Sequence, residues 1–230
     1  MNISSIFNQF VAPACLLCGA TSRTPVCAGC QADLPWYTAP QCPVCATPTP
    51  QGQICGACLK RPPGFDRTVA ALIYRFPLDR LIPALKYHGR LAVAPALASC
   101  LATALASATR PDAILPMPLH PARLRERGYN HATEIARGLA GALRIRLDID
   151  SCQRVRDTPP QQTLKLDARR RNVRGAFVCD ASSVAGQHIV LLDDVMTSGT
   201  SLDELATTLK RAGAREVSNW VVARALPPGD

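Results

Sequence analysis

The chain has 230 residues, a formal net charge of +9 and 47% hydrophobic residues, so it can form one core of ordinary domain size plus a smaller unit. The positive charge favours an anionic partner, such as a phosphate ester, a nucleic acid or an acidic surface. No apolar run reaches the roughly 18 residues that would span a bilayer, and the N-terminus lacks a secretory signal pattern, so we predict a cytoplasmic protein without stable membrane insertion.

The first part of the chain contains four CxxC pairs, which account for eight of the eleven cysteines: Cys15 and Cys18, Cys27 and Cys30, Cys42 and Cys45, Cys55 and Cys58. Two such pairs joined by a short hairpin complete a closed tetrahedral zinc site. We therefore predict two structural zinc ions, with redox dithiols as the alternative. The default pairing joins the first pair with the second and the third with the fourth. Because the cytosol keeps thiols reduced, Cys100, Cys152 and Cys179 are expected to be small buried hydrophobic residues.

Zinc binding changes the charge and stabilises the small unit. Eight thiolates add −8 and two Zn²⁺ ions add +4, so the formal +9 becomes about +5. Residues 1–64 contain few large apolar residues, so metal binding should supply their folding free energy, on the order of 10 kcal/mol per site. Pro62, Pro63 and Gly64 are typical of a linker, which predicts domains at residues 1–64 and 65–230.

Predicted strands and helices alternate after this linker. A strand at 68–76 precedes two helices between 78 and 108, and a short strand at 112–119 precedes a helix at 129–143. A continuous apolar strand at 188–195, a helix at 201–213 and a last strand at 216–226 complete the series. This alternation predicts an α/β fold with a parallel sheet and helices on both faces.

Two adjacent carboxylates, Asp193 and Asp194, end the apolar strand where parallel sheets bind their ligands. The loop that follows offers converging N–H groups and hydroxyls suited to a phosphate, from Thr197, Ser198, Gly199, Thr200 and Ser201. Since carboxylates repel a phosphate, we predict that they accept hydrogen bonds from the vicinal hydroxyls of a ribose. In the following helix we expect Ser201 and Glu204 to form a capping box and Gly213 to end it.

This acidic pair and loop resemble the phosphoribosyl pyrophosphate loop of type I phosphoribosyltransferases. "LKYHGR" at 85–90, "MPLHPARLRERGYNHA" at 117–132 and "RVRDTPPQQTLKLDARRRNVRGAF" at 154–177 extend the resemblance to the ComF family, which combines an N-terminal double zinc ribbon with a phosphoribosyltransferase-like domain. The resemblance implies that Asp193 and Asp194 hold the ribose as the catalytic pair and that residues 197–201 bind its 5′-phosphate. It also implies a pyrophosphate-binding turn made by Met117, Pro118, Leu119 and His120, with Arg125 close behind.

Residues 123–174 form a basic stretch, with 13 Lys and Arg against 6 Asp and Glu. Two uses fit it: a lid over a pyrophosphate, or a binding surface for a nucleic-acid backbone. In the second case the expected partner is single-stranded DNA. A solvated basic surface is the alternative. His88, His120 and His131 are expected to make ordinary hydrogen bonds, although His120 is well placed to meet a phosphate.

Three hypotheses about function follow. The favoured one is a ComF-type protein that supports natural transformation, the uptake and processing of single-stranded DNA, through a pocket for phosphoribosyl pyrophosphate and Mg²⁺. The second is an authentic phosphoribosyltransferase that transfers ribose 5-phosphate to an unidentified base, with the protein holding the ribose and neutralising the leaving group. The third is a zinc-ribbon nucleic-acid-binding adaptor with a vestigial pocket. The resemblance implies a DNA-uptake helicase or recombination protein as partner.

Overall fold

The computed structural model describes residues 14–157 and 171–226. Its centre is a parallel sheet of five strands: β1 (Arg67–Ile73), β2 (Ala113–Pro116), β3 (Arg146–Leu147), β6 (His188–Met196) and β7 (Glu216–Arg224). Their spatial order is β1-β7-β6-β2-β3. A separate antiparallel ribbon consists of β4 (Cys152–Arg154) and β5 (Phe177–Cys179).

The helices that lie wholly within the described residues are α1 (Ala28–Ala32), α2 (Gly56–Lys60), α3 (Leu78–Tyr87), α4 (Val93–Ala104), α5 (Pro121–Arg127), α6 (His131–Leu143), α7 (Ala181–Val184) and α8 (Thr200–Arg211), and residues 171–173 are also helical. Helices α4 and α6 pack against each other and against the sheet, and α8, which connects β6 to β7, packs against β7. The predicted α/β fold with a parallel sheet is therefore confirmed. Among the residues described, no helix combines the length and apolarity needed to cross a membrane.

Strand β6 lies inside the sheet, with β7 and β2 on either side of it. Its residues 189–192 have no exposed surface, which explains the uninterrupted apolar run in the sequence. Helix α8 covers the sheet with the predicted stripe of Leu202, Leu205 and Leu209, all buried. The uninterrupted apolar run ends at Leu192, so Asp193 and Asp194 follow near the carboxyl end of the strand.

The two cysteine-rich ribbons dock in different places. The segment between the two ribbons runs along the outer edge of β1, where the Tyr37 N–H donates to the Ala71 carbonyl (3.0 Å) and the Ile73 N–H donates to the Pro35 carbonyl (2.8 Å). The second ribbon follows on the same edge, where its Pro43 carbonyl accepts from the Thr68 N–H (3.0 Å). The first ribbon packs Cys15 and Val26 against Ala96 of α4. The edge of β1 is thus covered by residues 35–37 together with the start of the second ribbon.

The linker lies directly on α8. The Gly64 N–H donates to Asp203 Oδ1 (2.7 Å), and a Cβ atom at Gly64 would lie 2.5 Å from Thr207 Oγ1 and 2.7 Å from the Thr207 backbone nitrogen. Glycine is required here because any side chain would force the two segments apart.

Two expectations about local structure were wrong. Helix α8 begins at Thr200 after Gly199, whose φ of 72° is left-handed, and its Glu204 accepts from the Gly175 N–H (2.7 Å) instead of forming a capping box. Cys152 and Cys179 form a disulfide rather than lying as separate buried thiols. They face each other across β4 and β5 with their Cα atoms 4.2 Å apart, the close spacing of a non-hydrogen-bonded antiparallel pair. Cys100 is buried and free, as expected.

Candidate functional site

The eight cysteines of the CxxC pairs form two separate clusters, paired in sequence order. Four zinc–sulfur bonds of about 2.3 Å in a tetrahedron place the sulfur atoms about 3.8 Å apart. Cys18 Sγ lies 3.7 Å from Cys27 Sγ, and Cys45 Sγ lies 3.6 Å from Cys55 Sγ. Both clusters therefore fit a structural zinc ion.

In both cysteine clusters a backbone N–H group donates to the first sulfur ligand and so favours its thiolate form. The Cys27 N–H donates to Cys15 Sγ (3.3 Å), and with the N–H groups of neighbouring residues it lowers the pKa of the Cys15 thiol to about 6. The Cys55 N–H donates to Cys42 Sγ at the same distance, 3.3 Å. Thiolates are the form that binds zinc, so the local backbone favours metal binding in both ribbons.

Asp194 is the centre of a buried network at the carboxyl end of β6. Its Oδ2 atom accepts from Lys86 Nζ of α3 (2.9 Å) and lies 3.4 Å from His131 Nε2 of α6, while its Oδ1 atom accepts from the Val195 N–H (2.8 Å). Arg127 Nη1 lies 3.0 Å from His131 Nδ1, which assigns the ring proton to Nε2, facing Asp194. Burial opposes the charge on Asp194, but Lys86 and His131 hold the pKa of its carboxyl well below the usual range.

Asp193 has a different environment. It is half-buried, and its Oδ1 atom accepts from the Asp194 N–H (2.9 Å), while no N–H group or hydroxyl of the described residues donates to Oδ2. Burial and the adjacent charge of Asp194 raise the pKa of Asp193 to about 7. Only Asp193 therefore has an oxygen available for a ligand.

The hydroxyl-rich loop connects the end of β6 to α8. Thr197 and Ser198 are exposed, Gly199 and Thr200 are buried, and Ser198 Oγ lies 2.7 Å from Thr200 Oγ1. The left-handed Gly199 turns the chain so that α8 starts at once, with the positive end of its dipole at the loop. This arrangement can bind an anion on backbone N–H groups and hydroxyls.

The turn after β2 lies next to the acidic pair because Pro116 pairs with Leu192, the residue before Asp193. The Met117 N–H donates to the Leu192 carbonyl (2.8 Å), and Asn130 Nδ2 donates to the Met117 carbonyl (3.0 Å). Pro118, Leu119 and His120 are half-buried, and His120 Nδ1 caps α5 by accepting from the Ala122 N–H (3.3 Å). Arg125 is exposed on α5. The turn is thus fixed by backbone contacts, whereas Arg125 stands apart from it.

Two cavities adjoin these elements. A cavity of about 500 Å³ lies beside the turn, with Pro118, Leu119, Tyr129 and Arg154 in its wall. A second cavity, of about 670 Å³, lies between the linker and α8 and contains four exposed arginines, Arg61, Arg171, Arg174 and Arg211, which we call the arginine cleft. Residues 158–170 of the basic stretch fall outside the described residues.

Three residues of the site escaped sequence reasoning: Lys86, His131 and Arg224. Lys86 and His131 each lie in a quoted motif, but nothing local indicates that they meet Asp194. Arg224 ends β7 with 7% of its surface exposed and donates to the Met196 carbonyl (2.9 Å) and the Thr197 carbonyl (2.5 Å) at the start of the loop. An arginine placed directly after the apolar run of residues 220–223 was the available signal for it.

The donor set at β6 bears on Mg²⁺. His131, Asp193 and Asp194 offer ligand atoms within 4.8 Å of one another. However, the Lys86 ammonium already binds Asp194 Oδ2, where a cation would have to bind. Mg²⁺ is usually held by one or two carboxylates together with phosphate oxygens of the substrate. Asp193 fits that role, and Asp194 does not.

Comparisons with known proteins agree with this architecture. A family model described as a double zinc ribbon domain matches residues 6–59, and one described as a phosphoribosyl transferase domain matches residues 124–226. DNA utilization protein YhgH of Escherichia coli O6:H1 is 35% identical over 192 residues, which cover 80% of this chain and 84% of the relative.

A second relative spans more of the chain. Competence protein F of Haemophilus influenzae is 32% identical over 213 residues, which cover 89% of this chain and 92% of the relative. Among solved structures, glutamine phosphoribosylpyrophosphate amidotransferase from B. subtilis aligns over 56% of this chain and 26% of its own, with a TM-score of 0.40 and 23% identity.

Proposed function

This chain belongs to the ComF family, which combines a double zinc ribbon with a phosphoribosyltransferase domain, and from that premise we propose that it supports DNA uptake and use through a pocket for a phosphoribosyl ligand. The names Competence protein F and DNA utilization protein of its relatives support the cellular role. The domain assignment is residues 1–64 for the zinc ribbons and 65–230 for the phosphoribosyltransferase-like unit.

The observation that supports the pocket is that a carboxylate and a hydroxyl-rich loop follow each other at the end of β6. Asp193 keeps Oδ2 available, and the loop of residues 197–201 begins four residues later at the dipole end of α8. A sugar phosphate matches this arrangement, because its hydroxyls donate to the carboxylate while its phosphate accepts from the loop.

Each group has a separate task in this proposal. Asp193 orients the ribose, the loop holds the 5′-phosphate, and the turn at 117–120 receives the pyrophosphate. Asp194 is a positioning residue, because both of its oxygens are engaged by Lys86, His131 and the Val195 N–H. Mg²⁺ bound with phosphoribosyl pyrophosphate would supply neutralisation of the pyrophosphate charge.

Calorimetric titration of the zinc-loaded protein with phosphoribosyl pyrophosphate and Mg²⁺ tests the pocket. We expect micromolar binding by the parent, a loss of about tenfold or more for Asp193→Asn, and no change for Asp33→Asn, which removes an exposed carboxylate far from β6. Absence of binding by a folded, metal-loaded parent would reject the pocket. Pyrophosphate release in the presence of candidate bases then separates an authentic transferase from a protein that only binds the ligand.

A second function is supported by the arginine cleft. Its four arginines form no ion pair with any carboxylate of residues 14–157 and 171–226. The two acidic residues in the same cavity are engaged elsewhere: Asp203 accepts from the Gly64 N–H and Glu204 from the Gly175 N–H, each at 2.7 Å. The four guanidinium groups outnumber the two carboxylates of the cleft and suit a phosphodiester backbone, and the occupant proposed is single-stranded DNA.

Fluorescence anisotropy with a labelled oligothymidylate across a salt series tests this second function. We expect Arg61→Ala with Arg211→Ala to weaken binding and to reduce the slope of log affinity against log salt by about 0.7 per arginine. Arg23→Ala, on the exposed surface of the first ribbon, serves as the matched control. An unchanged slope in the double variant would contradict the assignment of DNA to the cleft.

A further inference from the structure

We infer that the second zinc site, but not the first, is coupled to the phosphate loop through Arg224, so that zinc retention and sugar-phosphate binding reinforce each other. This inference rests on the proposed phosphate-binding role of residues 197–201. It assigns a positioning role to a residue far from the CxxC pairs in sequence.

A single guanidinium group joins the two sites. Arg224 Nε donates to the carbonyl of the zinc-ligand residue Cys45 (3.0 Å), and Nη2 donates to Thr47 Oγ1 (3.2 Å). Thr47 Oγ1 in turn lies 3.2 Å from Cys45 Sγ. On the other side, Nη1 donates to the carbonyls of Met196 and Thr197. Arg224 therefore holds the second ribbon and the start of the phosphate loop at once.

The charge of Arg224 strengthens this connection. The guanidinium is 7% exposed, and it forms no ion pair with a carboxylate of the described residues. A zinc ion with four thiolates carries a formal charge of −2, so the loaded second site is the anion next to Arg224. A phosphate in the loop would be the second anion, on the opposite side. Loss of zinc would leave the buried guanidinium next to neutral thiols. The Cys45 carbonyl that accepts from Arg224 would also no longer be held in place by the metal site.

The first zinc site lacks such a connection and provides an internal control. Its ribbon packs on Ala96 of α4, and within residues 14–157 and 171–226 the hydrogen bonds of Cys15 and Cys27 stay inside their own ribbon. The second ribbon also bonds to β1 through Thr68, whose Oγ1 donates to the Val44 carbonyl (2.6 Å). The two sites thus differ in their mechanical link to the sheet, although their ligand sets are alike.

Coupling of this kind is reciprocal in equilibrium terms: whatever factor zinc contributes to phosphate affinity, the phosphate contributes to zinc affinity. The probe is ribose 5-phosphate, which carries the phosphate and the hydroxyls without pyrophosphate, and ribose is its phosphate-free control. Zinc affinity is measured on the full chain by equilibrium competition with a chromophoric chelator. Variants with Cys18→Ser and Cys27→Ser, or with Cys45→Ser and Cys55→Ser, assign each zinc ion to its site.

We expect ribose 5-phosphate, but not ribose, to tighten zinc binding at the second site by about 5-fold to 100-fold and to leave the first unchanged. Arg224→Gln should abolish this effect and weaken ribose 5-phosphate binding by a similar factor. Thr47→Val, which removes one link while preserving the buried arginine, should reduce both effects in part. Loss of the first zinc should leave ribose 5-phosphate affinity unchanged.

Two results would overturn the inference. If the parent binds ribose 5-phosphate and zinc affinity at the second site does not respond, the phosphate pocket stands and the coupling is rejected. If the parent does not bind ribose 5-phosphate, the proposed pocket fails and the coupling fails with it. If Arg224→Gln does not fold, two other results would still reject the coupling. One is that Thr47→Val binds zinc and ribose 5-phosphate with the same affinities as the parent, and the other is that ribose 5-phosphate changes the affinity of both zinc sites equally.

Discussion

The ammonium of Lys86 lies 2.9 Å from Asp194 Oδ2 and supplies a protein cation directly beside the acidic pair. The two residues are 108 positions apart in sequence. Because Asp194 is 2% exposed, its charge depends on Lys86 and on the weaker contact with His131.

Replacement of Lys86 by methionine should destabilise the protein by about 3–5 kcal/mol, since it leaves a buried carboxylate without its main partner. Urea unfolding monitored by circular dichroism measures the loss. Lys60→Met, at an exposed position of α2, is the matched control. The double variant Lys86→Met, Asp194→Asn should recover part of the stability, and a single variant within about 0.5 kcal/mol of the parent would contradict this account.

Asp193 should make stability depend on pH in an unusual direction for an aspartate. Its folded pKa is raised to about 7 from an ordinary 3.8, so the folded state binds the proton more tightly than the unfolded state. The contribution of Asp193 is therefore fully present below about pH 4 and is lost as pH rises through about 7. Asp193→Asn should remove this fall and stabilise the protein at pH 8 by on the order of 1–4 kcal/mol. Unfolding curves for both proteins at pH 5 and pH 8 compare the two slopes, and parallel slopes would refute the prediction.

The contact between the linker and α8 predicts the effect of a methyl group at Gly64. Gly64→Ala places Cβ against the Thr207 backbone, so we expect a loss of about 1–3 kcal/mol in the free energy of unfolding. Gly141→Ala is the control, because a Cβ there meets nothing within 4 Å and alanine favours the interior of α6. The control should be stabilised by up to about 1 kcal/mol. Equal effects in the two variants would show that the linker does not press on α8.

The disulfide between Cys152 and Cys179 predicts a thiol count and a redox effect. Protein unfolded with a metal chelator should expose nine thiols, and eleven after reduction. Closing a loop with a separation of 27 residues should contribute about 3–4 kcal/mol, so reduction should lower stability by that amount. Cys179→Ala should be insensitive to reductant, whereas Cys100→Ala should respond like the parent. Eleven thiols before reduction would mean that β4 and β5 pair without a disulfide between Cys152 and Cys179.

Local patterns predicted the fold and the candidate loop because the informative residues are neighbours in sequence. The apolar run of β6, the acidic pair and the turn of residues 197–201 occupy one short stretch, and each CxxC pair is complete within four residues. Long-range contacts had no such signal. Lys86 reaches Asp194 across 108 positions and Arg224 reaches Cys45 across 179, so only the folded chain shows the difference between Asp193 and Asp194. The β4–β5 ribbon was missed because its strands have three residues each and polar flanks.

The position of the second ribbon on the edge of β1 has a consequence for aggregation. Strand β1 is seven residues long and ends the sheet, and its N–H and carbonyl groups face the ribbon, whereas β3 at the opposite edge has only two residues. An uncovered edge strand is a template for intermolecular pairing. Because residues 35–37 and Pro43 cover the edge of β1, we expect unfolding of the second ribbon on loss of its zinc ion to expose part of this edge to pairing with a neighbouring molecule.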